Sequence, residues 1–197
     1  MKTRLTLLAM LFSLCCFAQD QKTANAPPIF KDSIAGTSFF LKDRDIVYQK
    51  VFASNLKKEE LLEKMNSLLS TIRNFRFNQN TIPAEAEIYG RLFFHSFDHE
   101  KYDYNMFNNS GYISEPLSAV VAIQVKDNKY RLTISEMSFS RDTEAPSQRI
   151  RLDEVFTQKR TRDKIKHQKA NLKLAQYLDQ EFTTLFNAKR SLLAGDF

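Results

Sequence analysis

The stretch "LSAVVAIQVKDNKYRLTISEMSFS", residues 117–140, decides the fold. Leu117, Ala119, Val121, Ile123 and Val125 recur at every second position, so they share one face of an extended strand. The polar run "KDNK" interrupts the pattern, and Tyr130, Leu132 and Ile134 then alternate in the same way. The phase shifts at Met137 and Phe139, as one extra residue would make it do, which places a bulge near Ser135. Two alternating runs across a short polar turn read as an antiparallel hairpin.

Upstream, "TSFFLKDRDIVYQKVFAS" reads as a strand in which Ile46, Tyr48 and Phe52 alternate with Val47, Gln49 and Val51. The period then changes. Leu61, Leu62, Met65, Leu68, Leu69 and Ile72 recur at three- and four-residue steps, the stripe of an amphipathic helix. Ser54 or Asn55 can cap it, and Glu59 and Glu60 suit its positive first turn. "AEIYGRLFFHSF" is a second strand, followed by the polar, turn-rich "DHEKYDYNMFNNSGYISEP". After the hairpin, "RLDEVF" makes a short turn, and a helix is expected over about 161–190. Leu174, Ala175, Leu178, Phe182, Leu185 and Phe186 form its stripe, with Gly195 beyond its end. The order strand, helix, three strands, helix specifies an α+β fold: a curved antiparallel sheet with helices on one face. Leu62, Met65 and Leu69 are expected against Val121, Ile123, Leu132 and Ile134, with Leu178, Phe182 and Leu185 covering the neighbouring part of the sheet.

The run from "DIVYQKVFASNLKKEELLEKMNSLLS" through "AEIYGRLFF" to "LSAVVAIQVKDNKYRLTISEMSF" resembles domain of unknown function 4468. That is a family of secreted Bacteroidetes proteins with a TATA-binding-protein-like fold. The likeness lies in the strand entering "VFAS" before the helix, the glycine of the second strand and the "KDNKYR" turn, and it covers roughly residues 40–140. It implies the fold and export; it carries over no catalytic residue.

The N-terminus points the same way. Lys2 and Arg4 precede the uncharged run "LTLLAMLFSLCCFA", and polar "QDQKT" follows small Ala18, the layout of a secretory signal cleaved after Ala18. The apolar run is shorter than the roughly 20 residues a transmembrane helix needs. Cys15 and Cys16, the two cysteines of the chain, then leave with residues 1–18. Lipid attachment at either is disfavoured, because Leu14 and Phe12, or Cys15 and Ser13, stand where a small residue and a leucine-like residue would be expected. Residues 19–36 form a polar, proline-containing tether, and residues 37–197 a single domain. The expected destination is the periplasm or the cell exterior. Once the signal is gone the cysteine-free chain must be held by its core, for which 15 of the 17 Phe and all 7 Tyr supply bulk while 4 Gly leave little room for loops. The formal charge of +6 falls by two with the signal, an excess too mild to imply nucleic acid.

Few residues suggest chemistry. In "HSFDHEKYD", His95 and His99 on an extended strand stand about 13 Å apart, too far to share a metal. Ser96, Ser110 and Ser114 lack a nucleophile elbow, and Glu85, Glu87 and Glu100 make no more than a chance carboxylate group. Gly36, Gly90, Gly111 and Gly195 are scattered, so there is no phosphate loop. No cofactor and no metal is expected. The outlier is "QKRTRDKIKHQKANLK", where Arg162, Lys166, Lys169 and Lys173 step by four, three and four and would form one basic helical stripe. Such a stripe is either a solvated face or a contact for an anionic surface or acidic partner. Aromatic residues do not interleave with it, which argues against nucleic acid. Three functions therefore stand beside one another: a non-enzymatic exported domain binding a partner or envelope component, a carrier of an apolar ligand lined by Phe93, Phe94, Phe97 and Phe107, and an enzyme of unrecognised type.

Overall fold

The computed structural model of the protein describes residues 32–78, 86–98, 101, 110–140, 149–158 and 161–189. The signal, the cysteines, most of the tether, Glu85, His99, Glu100 and Phe107 lie outside the described residues. Among the described residues seven strands run in chain order: β1 Phe39–Lys42, β2 Asp45–Ala53, β3 Phe75–Phe77, β4 Glu87–His95, β5 Leu117–Lys126, β6 Lys129–Ser140 and β7 Arg149–Arg151. The α-helices among the described residues are α1 Lys58–Thr71, α2 Leu152–Phe156 and α3 Lys169–Leu185.

The β5–β6 hairpin forms where the alternation places it, with Lys126 opposite Lys129 and Asn128 at a φ of 62° in the turn. Every strand pair is antiparallel, in the order β1-β2-β6-β5-β4-β3. Because β5 follows one edge of β6 throughout, β7 joins the other edge, pairing Ser138–Ser140 beyond the reach of β2. The bulge expected near Ser135 is present: the β5–β6 register shifts between Ser118 and Val120, and Glu136 takes a φ of 49°. A second irregularity on β4, between Leu92 and His95, puts Phe94 at a φ of 48°. Both fall beside Ala119 of β5, so the sheet is bent from two sides at one level.

One face of this curved sheet carries Tyr48, Leu132, Ile134, Val121, Ile123 and Leu92, all buried. Leu61, Met65, Leu68 and Leu69 of α1 and Leu174, Ala175, Leu178 and Phe182 of α3 close the core over it. The aromatic rings of Phe39, Tyr48 and Phe182 meet edge-on or tilted with centroids 5.1–6.2 Å apart. The opposite face presents Gln49, Val51, Arg131, Gln124, Glu87 and Arg91, and Val51 is 54% exposed.

Four expectations shift. The first expected strand is a hairpin, because Asp43 and Arg44 both turn into the left-handed region at φ 50° and 68°. The edge strands β3 and β7 are additions. The helix α1 begins at Lys58 without a side-chain cap of its own; Asp127 from the hairpin turn accepts the Lys58 amide at 3.0 Å, while Ser54 accepts the Leu56 amide. Its buried stripe is Leu61, Met65, Leu68 and Leu69, and Leu62 is half-buried, as is Leu185 on α3. The helix expected over 161–190 is shorter: it starts at Lys169, and residues 161–168 precede it as irregular chain.

Candidate functional site

The late start of α3 rearranges the basic residues. Between α2 and α3 the chain loops back on itself: Thr157 bridges to Ile165, and the Lys166 amide donates to the Phe156 carbonyl at 2.7 Å. Asp153, 2% exposed at its side chain, anchors this loop. Its carboxylate accepts from Arg151 Nε at 2.8 Å and from Arg162 Nη1 at 2.9 Å, and Arg162 also reaches Glu154 at 3.1 Å. Arg162 takes a φ of 52° to do so. It is thus an internal strut, and the expected four-residue helical stripe does not form. Lys169 and Lys173 remain one helical turn apart on α3, while Lys166 precedes the helix and lays its ammonium 3.3 Å from the Glu154 carbonyl and 3.5 Å from that of Val155.

Here the structure brings together residues that the sequence keeps apart. Ile34 and Ala35 from the start of the domain, Phe156 from α2, Ile165 from the loop and Leu172 from α3 line a cleft of about 290 Å³. Ile34, Phe156 and Ile165 are buried, so its inner wall is apolar. Lys166, His167, Gln168 and Lys169 line it on the solvent side. Asn171 completes the wall, and its amide is turned away to the Val155 carbonyl at 3.0 Å. Two of the four basic candidates, Lys166 and Lys169, therefore border an apolar recess. No short-range pattern could have announced it, because its walls come from positions 34–35, 156, 165 and 172.

Other polar groups tie the helices to the sheet. Lys50 Nζ donates to Asp179 at 3.3 Å and to Thr183 at 2.7 Å, and Asp179 accepts the Ser38 amide at 2.8 Å. The Tyr48 hydroxyl joins Thr183 at 3.2 Å, and burial pushes its pKa above the usual tyrosine range. His95 pairs through Nε2 with Glu181 at 3.1 Å and stands edge-on to Phe97. The Ser114 hydroxyl is turned onto the Gly111 carbonyl of its own short 3₁₀ turn, Gly111–Ser114, and Ser96 is exposed. Glu87 accepts from Tyr89 and from Gln124, and these hydrogen bonds hold its carboxyl below the ordinary glutamate range. Phe97 is core, whereas Phe93 lies under the Arg76 guanidinium at 5.8 Å; neither they nor Phe94 lines the cleft. Among the described residues there is no group of three His, Cys, Asp or Glu placed to hold a metal ion, and no helix long and apolar enough to cross a membrane.

The chain is an α+β domain built on a curved, seven-stranded antiparallel sheet. No family model matches the sequence, and no curated protein does so either. Two solved structures are similar in shape. A TBP-like protein from Parabacteroides distasonis is 13% identical with a TM-score of 0.47, the match covering 76% of this chain and 96% of that one. A DUF4468 family protein from Bacteroides ovatus is 12% identical with a TM-score of 0.45, covering 76% and 91%.

Proposed function

We propose that this protein is an exported, non-enzymatic binding domain whose contact region is the base of α3, facing an anionic component of the cell envelope. The observation that carries the reading is the placement of Lys166 and Lys169 beside the apolar cleft, with Lys173 one turn beyond. Arg162 does not belong to that contact, since Asp153 and Glu154 already hold it. The polar groups of the helix face serve architecture: Lys50, Asp179, His95 and Glu181 link α3 to β2 and β4. Export is supported by the basic, apolar and small-residue order of residues 1–18.

The test is co-sedimentation with vesicles of phosphatidylcholine, with and without phosphatidylglycerol, across a salt series. Each lysine near an anionic surface contributes on the order of 1 kcal/mol, so Lys166→Glu, Lys169→Glu and Lys173→Glu together should reduce binding about a hundredfold. Salt should do the same, because charges separated by more than about 8 Å are largely screened at physiological ionic strength. Failure of the unaltered protein to bind anionic vesicles at low salt, or equal binding by the triple variant, overturns the reading.

A further inference from the structure

We infer that the cleft at the base of α3 binds a small anionic amphiphile, a single short acyl chain or compact ring system bearing one carboxylate. This deepens the reading of the α3 base as the contact region and rests on it.

Size sets the apolar part. A cavity of roughly 150 Å³ accepts benzene, and pockets for larger organic ligands begin near 300 Å³. At about 290 Å³ the cleft suits one short chain or a bicyclic ring and is too small for a two-tailed lipid. Ile34, Phe156, Ile165 and Leu172 offer that part an apolar wall.

Charge sets the polar part. Lys166, His167 and Lys169 line the outer side of the cleft, and among the described residues none that lines it is acidic. Lys166 is held there by the Glu154 and Val155 carbonyls at 3.3 and 3.5 Å, and an ammonium has three donors, so one remains for a ligand. Lys169 is exposed at the first turn of α3. A carboxylate placed between the two would accept charge-assisted hydrogen bonds while its tail leaves water.

Calorimetric titration with octanoate, and with octanol as its uncharged counterpart, tests the inference. Octanoate is expected to bind one to one and octanol much more weakly. Ala35→Trp, at an exposed lining position, should fill the cleft and weaken octanoate at least tenfold with the fold unchanged by circular dichroism. Gln168→Trp, also exposed, is the second blocking variant. Lys166→Gln with Lys169→Gln should weaken octanoate by about tenfold or more and leave octanol unaffected. Absence of octanoate binding, or binding that both tryptophan variants leave intact, overturns the inference. If anionic vesicles are still bound in that case, the contact region stands and only the ligand class falls; if neither octanoate nor vesicles bind, both fall.

Discussion

The Phe75 ring lies across the bare backbone of Gly90 on the neighbouring strand, so closely that a Cβ at position 90 would stand 2.2 Å from Phe75 Cζ and 2.7 Å from the Arg76 carbonyl oxygen. Glycine in a strand usually weakens it, and here it admits an aromatic side chain from the edge strand β3. Gly90→Ala should therefore destabilise by about 1–3 kcal/mol through overpacking. Phe75→Ala in the same chain should recover part of that loss and leave the part due to the Arg76 carbonyl. Denaturant unfolding of the two single variants and the double variant measures both terms.

Leu69 and Ile123 are fully buried on facing elements of the core. Either substitution to alanine should cost about 2–5 kcal/mol, seen as a lowered denaturation midpoint with an unchanged slope.

The bulge at Glu136 gives opposite signs to two substitutions. At φ 49° glycine is at ease, whereas a β-branched residue is strained. Glu136→Gly should keep or raise stability, by up to about 1 kcal/mol, and Glu136→Val should lower it. The exposed ion pair with Arg91 is lost in both, so the difference between them isolates the backbone. Equal stabilities would mean that residue 136 does not adopt the left-handed conformation.

Arg162 and Lys169 look alike in the sequence and should respond differently to charge reversal. Arg162→Glu sets an acid against Asp153 and Glu154, and should destabilise by about 1–2 kcal/mol, discounted for the partial exposure of the arginine. Lys169→Glu should leave the melting temperature within a degree or two of the unaltered protein, since exposed substitutions act within about 0.5 kcal/mol. Thermal melts of the single variants separate strut from surface cation.

Burial pushes the Tyr130 hydroxyl up to about 12. It donates to the Phe186 carbonyl at 2.8 Å and accepts the Ala188 amide at 3.0 Å. A phenol whose pKa is higher folded than unfolded contributes stability that is complete below the unfolded value, about 10, and fades as pH rises towards 12. Stability should fall over that alkaline window, and Tyr130→Phe should flatten the fall. Difference absorbance of tyrosinate, recorded beside circular dichroism, checks whether the buried phenols ionise together with unfolding.

Much of this architecture was legible because alternation and helical period are local signals. Val121, Ile123, Leu132 and Ile134 announce their face two residues at a time, and even the Ser135 bulge shows as a change of phase. The β1–β2 hairpin was hidden because Asp43 and Arg44 enter the left-handed region without a glycine to mark the turn. The start of α3 was misplaced for a related reason: steps of three and four from Arg162 to Lys173 imitate a helix, while the buried carboxylate of Asp153 draws Arg162 out of it. The basic residues of the candidate site were thus visible and its apolar wall was not, since Ile34 and Phe156 become neighbours only in the folded chain.

The Phe39, Tyr48 and Phe182 cluster also joins parts of the chain that are far apart in sequence. The β5–β6 hairpin joins neighbours and can form early, whereas the Ser38 to Asp179 bond spans 141 residues and the Tyr48 to Thr183 contact 135. Closing a loop of that span costs entropy before the aromatic contacts offset it, so slow sealing of this part of the core is expected. Until residues 169–185 are in place, Phe39 and Tyr48 lack the ring of Phe182 that closes their side of the core.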